Sequence, residues 1–276
     1  MSVAVGAFAS SERKGWLNVW SGYLALALAT GAVLVAFPEI DLWIAHATYA
    51  PGAGFVGWRL GWLGVVRTSF MVFYFSCLTL SLAGWLATRR GYVRYFAYKQ
   101  WRFLFVCLVV GPGLLANVGF KDQWGRARPK HMVAFGGSKH FTPALLPTNQ
   151  CKRNCAFVSG EASSVFAPFY AAAAVAPQWA APLIAVGTVA GLTAGSVRIA
   201  QGAHFLSDVV FASLFMGLTV IILHRVMFAP PRTWPSGSWR AMLRRRRRPR
   251  PKGELCHEAK VPPVRNCSAG GTLLHG

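Results

Sequence analysis

Residues 17–37 read LNVWSGYLALALATGAVLVAF, a stretch with no charged side chain and long enough for the roughly 20 residues that an α-helix needs to cross a bilayer. Comparable apolar stretches recur at 69–87, 102–120, 160–176, 179–196 and 207–228. Together they predict an all-α fold, a six-span transmembrane helical bundle over residues 1–228. Composition agrees: 54% of the 276 residues are hydrophobic and only 8 are acidic, so the apolar surface needs a solvent other than water. No small-residue cleavage site follows the first stretch, which is therefore expected to stay as the first span.

The net charge of +21 is distributed in a way that argues against nucleic acid as a partner. The basic residues lie between apolar runs and in the tail, above all Arg244 to Arg248, where they fix topology and meet anionic lipid heads. The 88–101 loop holds Arg89, Arg90, Arg94 and Lys99, and both it and the tail are assigned to the cytoplasm. Residues 229–276, rich in Pro, Arg, Gly and Ser, read as a disordered cytoplasmic tail to which no chemistry is assigned. The loops after spans one, three and five then lie outside. The first of them, 38–68, is rich in Trp and Gly and suits the membrane interface, with 41–46 as a short amphipathic helix. The second, 121–159, carries basic residues on the outer side against the positive-inside trend, which a function requiring cations there would explain.

Six cysteines show no zinc-type pairing of Cys-x-x-Cys motifs, and no metal or other cofactor is expected. Cys77 and Cys107 sit in apolar runs as small hydrophobes. Cys151 and Cys155 flank Lys152, Arg153 and Asn154 in a polar loop; they form a short disulfide if that loop faces an oxidising compartment, and are otherwise two free thiols.

Three polar clusters lie at the outer ends of spans: Lys121-Asp122-Gln123-Trp124-Gly125-Arg126-Ala127-Arg128-Pro129, Ser159-Gly160-Glu161, and the run from Arg198 through His204 to Asp208. His204 and Asp208 are four residues apart, a spacing that shares one face of a helix. A carboxylate on one imidazole nitrogen fixes the tautomer and makes the other nitrogen a better nucleophile, although the same spacing also serves a structural hydrogen bond. Lys121 and Arg128 offer a point charge and a planar fork, donors suited to phosphoryl oxygens. Ser159 and Gly160 open an apolar helix whose free N–H groups attract an anion, or else Ser159 is a plain N-cap with Glu161 in the first turn.

In this order and spacing the clusters resemble the type 2 phosphatidic acid phosphatase family, whose signature is Lys-x6-Arg-Pro, Ser-Gly-His and Arg-x5-His-x3-Asp. The first and third motifs match at Lys121, Arg128, Pro129, Arg198, His204 and Asp208. The resemblance implies a metal-independent membrane phosphatase that works on a phosphorylated lipid in the bilayer. His204 would attack phosphorus, Asp208 would orient it, and Lys121, Arg128 and Arg198 would stabilise the transition state, with Ser159 and Gly160 on the phosphate. Among substrates, the first motif and the Ser-Gly-Glu variant are most similar to lipid A phosphatases, with undecaprenyl diphosphate and phosphatidylglycerol phosphate as alternatives. The location implied is a bacterial cytoplasmic (inner) membrane with the site facing the periplasm.

Glu161 stands where the family has the histidine that protonates the leaving oxygen, and Val197 where it often has serine. Glu161 takes over that role only if it is kept protonated; His131 and His140 of the same loop are the substitutes. Two other functions follow from the same residues. One is a phosphotransferase that passes the group to an alcohol, and the other a catalytically degenerate protein that binds lipid phosphate without turnover.

Overall fold

A computed structural model describes residues 2–91 and 98–228, with side chains from residue 15 onward. Arg94 and the 229–276 tail lie outside the described residues. Helix α1 (Ser2–Ala36) is followed by a short helix α2 (Glu39–Ala47), an antiparallel hairpin of β1 (Tyr49–Ala50) and β2 (Gly54–Phe55), and a single turn, α3 (Val56–Arg59). Next come α4 (Trp62–Arg89) and α5 (Tyr98–Leu108), which runs on through a π-helical stretch, Val109–Phe120, into the turn α6 (Lys121–Gln123). Beyond the 124–159 loop lie α7 (Gly160–Val175), α8 (Ala180–Ala200) and α9 (Leu206–Phe228).

Among the described residues, five helical segments are long and apolar enough to cross a membrane: Gly15–Ala36, Trp62–Arg89, Tyr98–Gln123, Pro177–Ala200 and Leu206–Phe228. The helix over the 160–176 stretch, expected as the fourth of six spans, is shorter than these five. α7 has 16 residues, about 24 Å of helix against a hydrocarbon core of about 30 Å. Its apolar residues have another partner, because most of them are buried against α8, α9, α4, α5 and the π-helical stretch. A helix jacketed by protein has no lipid thickness to match.

Close approach of the helices rests on small residues. Gly187, Gly191 and Gly195 recur every four positions along α8; a methyl on Gly187 would lie 2.5 Å from Cβ of Phe169, and methyls on the other two would collide with Phe166 and Val209. Such small-xxx-small faces let helices approach without the help of water-driven burial. Here they clamp α8 onto α7 and α9. Pro112 has no N–H to give to the helix ladder, and Asn117 Nδ2 donates to its carbonyl at 2.7 Å across the wider π turn. This stretch ends at Lys121. A separate apolar cluster of Ala45, Phe55, Met132, Phe135 and Phe205 ties α2, the hairpin and the 129–141 turns to the residue that follows His204.

Candidate active site

The three sequence clusters meet at one end of the bundle, around the carboxylate of Glu161. One oxygen, Oε1, is 3.3 Å from Nη2 of Arg67 and 3.3 Å from Nε of Arg198. The other, Oε2, is 3.8 Å from Nζ of Lys121 and 3.5 Å from Nε2 of His204. Oε2 of Glu161, Nε of Arg198 and Nε2 of His204 are buried with no hydrogen-bond partner. A buried polar atom without a partner is costly, so three converging on one spot mark a place built for polar contacts. Since cations favour the ionised form, the neighbours of Glu161 hold it as a carboxylate.

His204 precedes the first residue of α9, so the helical i,i+4 geometry expected for it and Asp208 does not apply. Nδ1 of His204 lies 3.7 Å from Asp208 Oδ2 but 2.7 Å from the carbonyl oxygen of Ala156. A carbonyl only accepts, so Nδ1 carries a proton, and Nε2 is the ring nitrogen that faces Glu161. The tautomer expected from Asp208 is thus set by a main-chain carbonyl. Asp208 is occupied elsewhere: Oδ2 accepts from Phe205 N at 2.8 Å and Oδ1 from Nη1 of Arg126 at 2.5 Å.

Arg126, fully buried, was not singled out from the sequence. Its guanidinium donates to Asp208, to Ser207 Oγ at 2.9 Å, to the Thr142 carbonyl at 2.9 Å and to Asp41 Oδ2 at 2.9 Å, and it lies 4.4 Å from the centre of the Phe205 ring. Asp41 closes the network by accepting from the Ser207 N–H at 2.9 Å and from the Ser207 hydroxyl. Burial pushes the Asp41 carboxyl up while Arg126 pulls it down. Arg126→Ala would leave two buried carboxylates without their cation. The expected loss is about 3 kcal/mol of stability, read as a lowered Tm in detergent, and Arg126→Lys will not restore it because a point charge cannot fill four forked contacts.

The 151–159 segment holds the clusters in register through main-chain atoms. Cys155 N donates to the Lys121 carbonyl at 2.9 Å, Ala156 N to the Arg126 carbonyl at 2.9 Å, and Ser159 N to the Asp208 carbonyl at 3.1 Å. Ser159 also caps α7, its Oγ accepting from Ala162 N at 3.4 Å. Gly160 leaves room for Lys121: a methyl there would lie 2.6 Å from Nζ. Arg128 does not reach Glu161. It donates to the Asn154 carbonyl at 3.1 and 2.8 Å and to Asn154 Oδ1 at 2.7 Å, and so pins the small ring closed by Cys151 and Cys155, which are joined with Cα atoms 5.6 Å apart. We expect both thiols to resist alkylation in unreduced membranes and to label after reduction; labelling without reductant would rule the bridge out.

His131 and His140 lie exposed on the 124–159 loop. Partial desolvation, together with Lys130, Arg128 and Lys139, holds the His131 imidazole below its usual range. Among the described residues no three His, Cys, Asp or Glu side chains are grouped to hold a metal ion.

Residues 100–232 match the PAP2 superfamily. The chain is 36% identical over 198 residues to a lipid A 4'-phosphatase of Francisella tularensis subsp. novicida, covering 70% of this chain and 88% of that protein. It is 32% identical to a lipid A 4'-phosphatase of Rhizobium etli, over 64% of this chain and 75% of the relative. A lipid A 1-phosphatase of Rhizobium johnstonii is 33% identical over 50% of this chain and 56% of its own length. No solved structure matches.

Proposed function

The chain belongs to the PAP2 superfamily, and on that premise we propose that this membrane lipid phosphatase removes the 4'-phosphate of lipid A at the periplasmic face of a bacterial inner membrane, through a phosphohistidine on His204. The observation that carries the chemistry is the convergence of Lys121, Arg198 and His204 on one buried anion position. The choice of lipid A rests on what the relatives are named for. A Cys151–Cys155 bridge in an outer loop supports the periplasmic side, where disulfides persist. Residues 1–228 form the phosphatase domain in this reading, with 229–276 as a cytoplasmic tail.

Nε2 of His204 attacks phosphorus while the bond from phosphorus to the lipid oxygen breaks. Lys121 and Arg198 spread the equatorial charge, with Arg128 at the rim and the N-terminus of α7 at Ser159 and Gly160 adding its dipole. Asp208, 3.7 Å from Nδ1, favours the positive ring of the phosphohistidine. An incoming phosphoryl dianion competes with Glu161 for the same cations, and its charge next to the carboxylate favours uptake of a proton there. Glu161 then gives that proton to the departing oxygen. Water cleaves the phosphohistidine in the second step, with Glu161 accepting the proton it loses.

The test is phosphate release by the purified full chain from lipid A, undecaprenyl diphosphate, phosphatidylglycerol phosphate and phosphatidic acid, with and without chelator. Lipid A is expected to lose its 4'-phosphate fastest, chelator making no difference. Intact lipid A after prolonged incubation would reject the substrate assignment.

A further inference from the structure

Arg67 lies within α4, away from all three motifs and from the 100–232 segment that matches the superfamily. It sits in the second turn of α4 with its side chain half-exposed, at the same end of the bundle as the three clusters, where a long cationic side chain can reach the polar site. Its Nη2 meets Glu161 Oε1 at 3.3 Å, the oxygen that Arg198 also meets at 3.3 Å. The Glu161 carboxylate therefore marks an anion position gripped by three cations, Arg67, Arg198 and Lys121, with Nε2 of His204 3.5 Å away.

We propose that Arg67 is a phosphate-binding residue of this enzyme, gripping the substrate's phosphoryl oxygens at the position that the Glu161 carboxylate holds in the free protein; the proposal rests on the phosphatase reading above. Charge supports it. Arg67, Lys121 and Arg198 place three positive charges against the single negative charge of Glu161, which leaves an excess suited to a phosphoryl dianion. Exposure supports it too. The Arg67 side chain is 47% exposed, against 11% for Lys121 and 6% for Arg198, so Arg67 stands at the open side, where a head group arrives. With Arg128 committed to Asn154, Arg67 offers a planar fork that can form paired N–H to oxygen bonds.

The experiment titrates inorganic phosphate against the purified full chain in detergent and reads binding from the thermal shift, with no turnover required. Arg67→Ala is expected to weaken phosphate binding about tenfold or more, and Arg67→Lys to weaken it less, since it keeps a charge and loses the fork. The same pair of measurements in a Glu161→Gln background separates gripping phosphate from merely steadying Glu161. A loss that persists there supports direct contact. Loss confined to the Glu161 background, a change below about twofold in both, or no phosphate binding by the wild type would each overturn the proposal. Should Arg67→Ala fail to fold, Arg67→Gln keeps the stem and reads the same loss. A chain that binds phosphate through Arg67 yet leaves lipid A intact would sink the substrate assignment and not this inference.

Discussion

His204→Ala lowers phosphate release by more than about 10⁴-fold, because the attacking atom is gone and no neighbour replaces it. The fully buried ring makes one hydrogen bond, from Nδ1 to the Ala156 carbonyl at 2.7 Å, so alanine costs that bond, about 1 kcal/mol, together with the cavity left behind, and the Tm in detergent checks that the variant folds. The informative measurement is trapping. Wild-type protein quenched during turnover of radiolabelled lipid A should carry acid-labile label on His204, and the alanine variant none. The tautomer predicts more: with the proton on Nδ1, the label belongs on Nε2. Turnover by the alanine variant near the wild-type rate would end the phosphohistidine mechanism.

Glu161→Gln is expected to lower kcat on the sugar phosphate monoester of lipid A by about 10²–10⁴-fold, the usual contribution of a general acid. Glutamine keeps the shape of the side chain and cannot exchange a proton. A diphosphate substrate should suffer much less, since its leaving phosphate needs little protonation. If Glu161 serves only the first turn of α7, where a carboxylate faces the positive end of the helix, the change should be a stability loss of about 0.3–1 kcal/mol with turnover intact. The ratio of the two substrates' rates separates these outcomes. Equal monoester rates for Glu161→Gln and wild type would remove Glu161 from the chemistry.

The helical class and the polar clusters were legible because both depend on residue type and short spacing. Lys121, Arg198, Glu161 and His204 do come together, and α2 forms where residues 41–46 suggested a short helix. What escaped has a common cause. The bond between Arg126 and Asp41 joins residues 85 apart, and nothing local in either segment pairs them. The signals were an arginine two places before the expected Arg128 and an acid set between Ile40 and Leu42. Ala156 was invisible for another reason: it acts through its carbonyl, and every residue has one. Hydropathy over 160–176 reports what a side chain avoids, and in α7 protein satisfies much of that in place of lipid. Arg128, expected on phosphate from its planar fork and its place in the first motif, donates in the free protein to Asn154, a partner that no short spacing announces.

The wiring of the 151–159 segment bears on how such an enzyme can drift. Its ties to Lys121, Arg126 and Asp208 join main-chain atoms, and its tie to His204 uses a main-chain oxygen. Main-chain atoms are the same whatever side chain is attached. The exposed side chains of that segment, Lys152 and Arg153, can therefore change without disturbing the alignment of the nucleophile, provided the bridge, the buried Phe157 and Val158, the cap at Ser159 and the room at Gly160 persist.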